Sequence, residues 1–140
     1  MLASVNGAGF LTESSQPGML TADCAQRAAV SGFADDEMLA SLRAAVSGRD
    51  LKLTARRSSA KRTRYTCRVV VSWRDGRPFT AFGAQISRED LRWEYDICHA
   101  DAVEAVCEAW QVTIIDPVYG RNEILWPALE DWASAQATAA

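Results

Sequence analysis

The residues best suited to chemistry are the cations of a short segment near the middle of the chain. Residues 56–64 read RRSSAKRTR and hold five cations in nine positions, together with two serines. Guanidinium and ammonium groups bind phosphate oxygens with salt-dependent affinity and little base discrimination. We therefore expect the segment to form the tip of a basic β-hairpin that engages an anionic partner. The predicted binding residues are Arg56, Arg57, Lys61, Arg62, Arg64, Arg68, Arg74 and Arg77.

The cations are concentrated in one part of the sequence. Residues 41–88 contain 12 of the 15 Lys and Arg residues and only two acids, whereas residues 1–40 and 89–140 carry net charges of −4 and −9. Such a field is typical of a surface that meets phosphate or an acidic protein. It can also be neutralised by acidic helices of the same chain, and the sequence leaves these two interpretations open.

The residues that could support catalysis or hold a metal are poorly spaced for either role. His99 is the only histidine, and neither Cys98 beside it nor Cys107 makes a short-gap pair of the kind that zinc sites show. Adjacent residues of a strand point to opposite faces, which argues against a Cys98–His99 catalytic pair. Paired carboxylates fall at inferred helix starts and polar faces. We expect no catalytic residue, no metal and no cofactor, and therefore no enzyme.

Length and composition indicate one domain. A chain of 140 residues that is 49% hydrophobic can bury a core without disulfides. No apolar run approaches the roughly 20 residues that span a bilayer, and the first forty residues lack the features of a secretory signal. Four cysteines without short paired spacing indicate reduced thiols and a cytoplasmic protein. The oligomeric state is left open.

The N-terminal third contains turn residues, alanines and one strong helical pattern. Residues 1–18 are rich in Gly, Pro and Ser, which predicts a flexible arm in front of a domain over 19–140. Leu20 to Val30 is compatible with a short Ala-rich helix. A second helix is predicted over about 36–47, with Asp35 or Asp36 as its cap and Gly48 after its end.

The middle of the chain has the alternating pattern of strands. One strand is predicted near 51–55 and a second over 65–73, joined by the polar segment 58–62. Asp75-Gly76 supplies the positive φ angles of a tight turn, so a third strand, about 77–86, should return antiparallel.

Residues 87–98 carry two conflicting signals. Ser87 with Asp90 resembles a helix capping box, whereas apolar residues alternate from Leu91 to Ile97, which favours a fourth strand. The strand is preferred. A helix is predicted over 100–111 and another from about Pro127. The predicted fold is a single α+β domain in which an antiparallel three- or four-stranded sheet (about 51–97) follows a helix and is covered by C-terminal helices.

Aromatic residues near the cations have two possible roles. Tyr65, Trp73, Phe79 and Phe82 lie on the predicted strands, and exposed rings can stack on nucleic-acid bases. Tyr65 and Trp73 share the periodicity of Val69 and Val71, so a buried core position is favoured for both. Trp110 is likewise predicted to be buried, on the helix over 100–111, because it falls at helical spacing from Val103 and Val106.

Two functions follow from these patterns. The first is a non-enzymatic nucleic-acid-binding or nucleoprotein-associated module that uses the basic β-hairpin. The alternative is a small inhibitor or adaptor of the type encoded by phages and mobile elements, docked on a host protein or nucleoprotein complex through its charged surfaces. The partner is thus a nucleic acid, or an acidic or nucleoprotein partner, and no membrane is involved.

Overall fold

The computed structural model describes residues 1–60 and 68–139. Within these ranges the chain forms five helices and seven strands. The helices are α1 (Leu2–Gly7), α2 (Asp36–Val46), α3 (Arg88–Glu94), α4 (Ala100–Glu108) and α5 (Leu125–Ala139). The strands are β1 (Leu11–Gln16), β2 (Met19–Leu20), β3 (Cys24–Ala34), β4 (Lys52–Arg57), β5 (Val69–Arg74), β6 (Arg77–Phe82) and β7 (Trp110–Tyr119).

The strands form one antiparallel sheet around β3. The order is β4-β7-β3-β5-β6, and β1 and β2 also pair with β3. Strand β3 pairs with β2 and β5 through its first residues, and with β1 and most of β7 further along. The α+β class predicted from the sequence is confirmed, although the sheet has more strands than predicted.

The larger core lies between one face of the sheet and three helices, α1, α2 and α5. Val30 of β3 and Ile114 of β7 are fully buried there against Leu42 of α2 and Leu129 of α5. Trp132 of the same helix is also buried in this core. Alternate residues of β3 and β7 therefore supply this core, as the pleat of a strand requires.

The opposite face of the sheet is covered by two separate pieces. Phe33 of β3 packs with Leu91 of α3 and Cys107 of α4 at one end. The β5–β6 hairpin packs over the other end, through contacts that include Val71 and Phe82. Helices thus lie on both faces of the sheet, and the surface between these two pieces is left partly open.

The segment 1–18, predicted to be a flexible arm, contains α1 and β1. Val5 and Phe10 are fully buried in the larger core. The Asn6 Oδ1 atom accepts a 2.7 Å hydrogen bond from the backbone nitrogen of Thr12 and so joins the two elements. The few apolar residues of this segment show no sequence period because each packs from a different short element.

The predicted helix from Leu20 to Val30 is wrong, because these residues lie in β2, a turn and β3. Alanine has the highest helix propensity of all residues, but propensity is only a weak preference, and tertiary context overrides it here. Small residues are needed in β3 because it is covered closely on both faces. At Gly32, an added Cβ would lie 2.3 Å from the Leu11 carbonyl oxygen.

The fourth strand predicted within 87–98 is also wrong. The Ser87 hydroxyl accepts a 3.1 Å hydrogen bond from the Asp90 backbone nitrogen and caps α3. Leu91 is fully buried, whereas Trp93 is 79% exposed and Ile97 is 93% exposed. The alternation that favoured a strand therefore mixes one core residue with surface residues, and the capping box was the correct signal.

Other local predictions are confirmed. Asp35 caps α2 by accepting a 2.7 Å hydrogen bond from the Met38 backbone nitrogen. Asp75 and Gly76 have φ angles of 50° and 71° at the β5–β6 turn, as a tight primed turn requires. Helix α4 forms where predicted, but it ends at Glu108. No described helix is both long and apolar enough to cross a membrane.

A buried ion pair holds the turn after β7. The Arg121 guanidinium lies 2.7 Å from the carboxylate of Asp116, which is completely buried, and 2.9 Å from that of Asp50. Hydrogen bonds to these two carboxylates raise the pKa of Arg121. The neighbouring Asn122 Oδ1 accepts from the Gly18 backbone nitrogen at 2.7 Å. The turn thus anchors the chain between β1 and β2.

Replacing Phe10 tests whether the N-terminal segment belongs to the core. Phe10→Ala removes a fully buried ring, so the free energy of unfolding should fall by about 3–5 kcal/mol. Leu20→Ala is the matched control, because Leu20 is 67% exposed, and should change stability by about 0.5 kcal/mol or less. Denaturant unfolding measures both. Equal midpoints for Phe10→Ala and wild type would show that residues 1–18 do not contribute to the core.

Candidate nucleic-acid interface

The predicted basic hairpin between β4 and β5 does not form. Strand β4 pairs with β7, and β5 pairs with β3 and β6, so two strands separate β4 from β5. Arg56 and Arg57 therefore lie on a different part of the sheet from Arg74 and Arg77. Lys61, Arg62 and Arg64 fall outside the described residues.

Arg57 is docked on the acidic start of α2. Its guanidinium lies 2.8 Å from the Asp36 carboxylate and 4.2 Å from the centre of the Trp110 ring, and it also donates to the Glu108 carbonyl oxygen. A hydrogen bond from the Trp110 indole, 2.7 Å long, is the main cause of the lowered pKa of Asp36, and Arg57 adds to it. The charge of Arg57 is therefore neutralised by an acidic helix of the same chain, which is one of the two interpretations that the sequence left open.

Trp110 is not on α4, as the sequence predicted, but at the first position of β7. It is half-buried rather than enclosed. The Arg57 guanidinium lies over one face of its ring. Arg56, the cation next to Arg57 on β4, is also half-buried and pairs in register with Gln111 of β7. Adjacent strand residues point to opposite faces, so Arg56 and Arg57 cannot contact one flat ligand together.

The β5–β6 hairpin carries the exposed cations. Arg74 and Arg77 are directly opposite each other across the two strands. The Arg74 guanidinium lies 4.1 Å above the ring of Phe79, which is 57% exposed. Arg68, just before β5, is also exposed. In the part of the chain that the structure describes, none of these three arginines forms an ion pair with an acid.

The pairing of Arg74 with Arg77 is unfavourable for the hairpin itself. Like charges at directly opposite positions of antiparallel strands repel and destabilise the pairing. The arrangement nevertheless concentrates two guanidinium groups and an exposed ring at one end of the sheet. An anion bound there would relieve the repulsion, so the geometry favours an anionic ligand.

Trp73 is on this hairpin. It was predicted to be buried in the core, and that prediction is wrong. It is 38% exposed, and its indole nitrogen donates a 3.1 Å hydrogen bond to the Tyr119 hydroxyl. The Tyr119 ring in turn contacts the Arg27 guanidinium at 4.5 Å. The β5–β6 register shifts on either side of Ser72, so the alternation counted from Val71 fails at Trp73.

The acidic helices α3 and α4 form a second charged surface. Two ion pairs join them, Arg88–Glu108 at 2.7 Å and Arg92–Glu104 at 2.9 Å. The largely exposed Trp93 lies on this surface, beside further acidic residues. The charge segregation seen along the sequence is therefore also a separation in space between the hairpin and these helices.

A pocket on the open face of the sheet was not predicted from the sequence. Its volume is about 130 Å³, and it lies between β1, β3, β7 and the segment that links β6 to α3. The polar lining includes Glu13, Ser31 and Thr113. These residues belong to three strands that are distant in sequence, so only the strand pairing reveals that they are neighbours.

The described cysteines and His99 lie outside the hairpin. Cys24, Cys98 and Cys107 are free, and burial raises the pKa of the Cys107 thiol. His99 caps α4 through a 3.4 Å contact from the Asp101 backbone nitrogen. Among the described residues, no cluster of three or more His, Cys, Asp or Glu side chains is arranged to hold a metal ion.

The fold and its surfaces define a small α+β domain with a central antiparallel strand, a basic hairpin and an acidic helix pair. The chain belongs to the family described as Domain of unknown function (DUF6919), whose family model matches residues 1–136. No curated protein matches the chain.

Arginine substitutions distinguish the docked cation from the exposed ones. Arg57→Ala removes an ion pair and a cation–π contact, so the free energy of unfolding should fall by about 1 kcal/mol. Arg77→Ala removes a repulsion and should change stability by about 0.5 kcal/mol or less. Denaturant midpoints measured at one salt concentration compare them. A loss for Arg77→Ala as large as that for Arg57→Ala would contradict this assignment.

Proposed function

We propose that this chain is a non-enzymatic nucleic-acid-binding module that contacts phosphates through the β5–β6 hairpin. The observation that carries the proposal is the pairing of Arg74 with Arg77 beside the exposed ring of Phe79. Cations that do not meet an acid among the described residues are available to phosphate oxygens, and Arg binds these in a bidentate manner.

The exposed ring favours single-stranded nucleic acid. Bases stack on aromatic side chains when they are not already stacked in a duplex. The guanidinium of Arg74 over Phe79 adds a second flat surface beside a positive charge. The hairpin therefore combines the two features that non-specific single-strand binding uses, namely positive charge along the backbone and rings for the bases.

The free state of the three described thiols supports the proposed cytoplasmic compartment. Disulfides form readily in secreted proteins and rarely in the cytoplasm. Cys24 is half-buried, Cys98 is exposed and Cys107 is buried, so the thiols lie in different environments.

Salt-dependent binding to a short single-stranded oligonucleotide tests the proposal. The variant Arg74→Ala/Arg77→Ala should lose most of its affinity, and the slope of log affinity against log salt should fall by roughly 0.7 for each lost phosphate contact. Fluorescence anisotropy over a salt series gives both values. Unchanged affinity and slope in this variant would overturn the role of the hairpin.

A matched control separates local contact from net charge. Arg43→Ala/Arg49→Ala makes the same change in charge, but Arg43 lies on α2 and Arg49 contacts Asp131 near the end of the fold. This control should retain nearly all binding. A similar loss in both double variants would indicate a diffuse electrostatic effect and contradict the assigned site. The triple variant Lys61→Ala/Arg62→Ala/Arg64→Ala tests the remaining predicted cations in the same assay.

The alternative function, docking on a host protein or nucleoprotein, is favoured by one observation on α3 and the turn that follows it. Trp93 is 79% exposed and Ile97 is 93% exposed, which is unusual for large apolar side chains close together on one surface. Trp is over-represented among the residues that dominate binding energy at protein interfaces. The surrounding acids would suit a basic partner.

Capture from a host lysate, with and without nuclease treatment, discriminates the two functions. If the hairpin acts through nucleic acid, nuclease and Arg74→Ala/Arg77→Ala should each remove the captured material. If α3 docks a protein directly, Trp93→Ala/Ile97→Ala should remove it and nuclease should not. Both positions, Trp93 on α3 and Ile97 in the turn after it, are exposed, so the fold should be retained.

A further inference from the structure

The pocket on the open face of the sheet has a polar floor without internal partners. Thr113 is only 4% exposed and lines the pocket, yet its hydroxyl makes no hydrogen bond with any residue in 1–60 or 68–139. The Ser14 hydroxyl lines the pocket from an exposed position, and that of Ser31, which is half-buried, has only a 3.5 Å contact with Glu13. These hydroxyls can be reached from the pocket and are not used up by protein partners, so this floor is suited to a polar ligand.

Strand register explains why the hydroxyls lie together. Ser14 of β1 pairs with Ser31 of β3, and Ser31 pairs with Thr113 of β7. Directly paired residues point to the same face of a sheet. Three hydroxyls therefore form a row across three strands.

Glu13 adds an acceptor at one side of the row. Burial raises the pKa of its carboxyl group, and the nearby Glu94 raises it further. The residue is nevertheless exposed at the rim of the pocket, where a ligand that donates hydrogen bonds can reach the carboxylate. The pocket thus offers an acceptor next to hydroxyls that can both donate and accept.

The remaining walls are apolar and set the shape of the ligand. Phe33, Phe82 and Ile86 line the pocket, and the Phe33 ring is held by an edge contact with Tyr95 at 6.4 Å. The volume of about 130 Å³ is close to that of an engineered cavity of about 150 Å³ that holds benzene. One six-membered ring fits this space.

We propose that the pocket binds an unstacked six-membered heterocycle with an amino edge, which in a nucleic acid is cytosine. Carboxylates accept hydrogen bonds from the cytosine N4 amino group. Thymine and uracil present an oxygen at the same position, which Glu13 would repel. The row of hydroxyls can bond the ring nitrogen and carbonyl oxygen, and the apolar walls can contact the ring faces.

The pocket and the hairpin surface are close enough for one strand of nucleic acid. Phe79 and Phe82 are on the same edge strand, β6, where they point to opposite faces, and three residues of a strand span roughly 10 Å. This is about the length of three stacked nucleotides at roughly 3.4 Å each. The inference rests on the proposed function, because the hairpin would hold the backbone while the pocket reads one base.

Anisotropy with oligo-dC and oligo-dT of equal length tests the inference. Wild-type protein should bind oligo-dC about tenfold more tightly, and Glu13→Ala should bring the ratio close to one by weakening oligo-dC alone. Glu37→Ala, an equal charge change at an exposed position of α2, should leave the ratio unchanged. Thr113→Val keeps the shape of the buried side chain and should also reduce the ratio. Near-UV circular dichroism checks that each variant is folded.

The outcomes separate this inference from the proposed function. Equal affinity of the wild type for both oligomers, or a ratio that survives in Glu13→Ala and Thr113→Val, overturns the base pocket. If Arg74→Ala/Arg77→Ala still weakens both oligomers, the hairpin function stands alone. Titration of free cytidine, followed by NMR shifts at Thr113, addresses the other source of the ligand. Cytidine binding that depends on Glu13, with no oligonucleotide binding, supports the pocket and overturns the hairpin function.

Discussion

The fold depends on β3, because four of the other six described strands pair directly with it. One end of β3 joins β2 and β5, and its longer part joins β1 and β7. A strand covered on both faces and paired on both edges has little room for large side chains. Ala28 and Ala29 are both completely buried, and Gly32 lies against the backbone of β1. The small residues of β3 are therefore what allows two packed layers to share one strand.

The packing of two layers on β3 also determines where the charged surfaces and the pocket lie. The helices α1, α2 and α5 fill one face, whereas the other face is divided between the hairpin and the α3–α4 pair. The division leaves the pocket between them and places the basic and acidic surfaces on separate pieces of structure. Arg57 forms an ion pair with Asp36 of α2 and a cation–π contact with Trp110. Arg74 and Arg77 lie on another part of the sheet, and within residues 1–60 and 68–139 they form no ion pair with an acid.

Features set by neighbouring residues could be predicted from the sequence. The cap at Asp35, the Asp75-Gly76 turn and the buried face of α4 each depend on residues within a few positions. Features set by distant pairing could not. The alanines of β3 favour a helix by propensity, and only the pairing with β1 and β7 makes the segment a strand. Strand β4 pairs with β7, which lies more than fifty residues later in the sequence.

The same distinction applies to the candidate site. Of the eight predicted cations, Arg74 and Arg77 lie on a hairpin that the sequence itself specifies, so their proximity could be predicted. Arg56 and Arg57 were misplaced because the partner of β4 was not known. Trp73 was assigned to the core because a bulge next to Ser72 cannot be counted from alternation. The pocket needed three distant strands to be in register.

The repulsion between Arg74 and Arg77 makes the order of the hairpin sensitive to its surroundings. Mobile ions screen exposed charges, so added salt should tighten this turn, whereas it weakens attractive surface pairs such as Arg92–Glu104. Amide hydrogen exchange around Asp75 should therefore slow as salt is added, opposite to the usual trend for surface ion pairs. A polyanion would act in the same direction at far lower concentration. Because β6 runs from this turn to the rim of the pocket, neutralising one end of the strand would also steady the other.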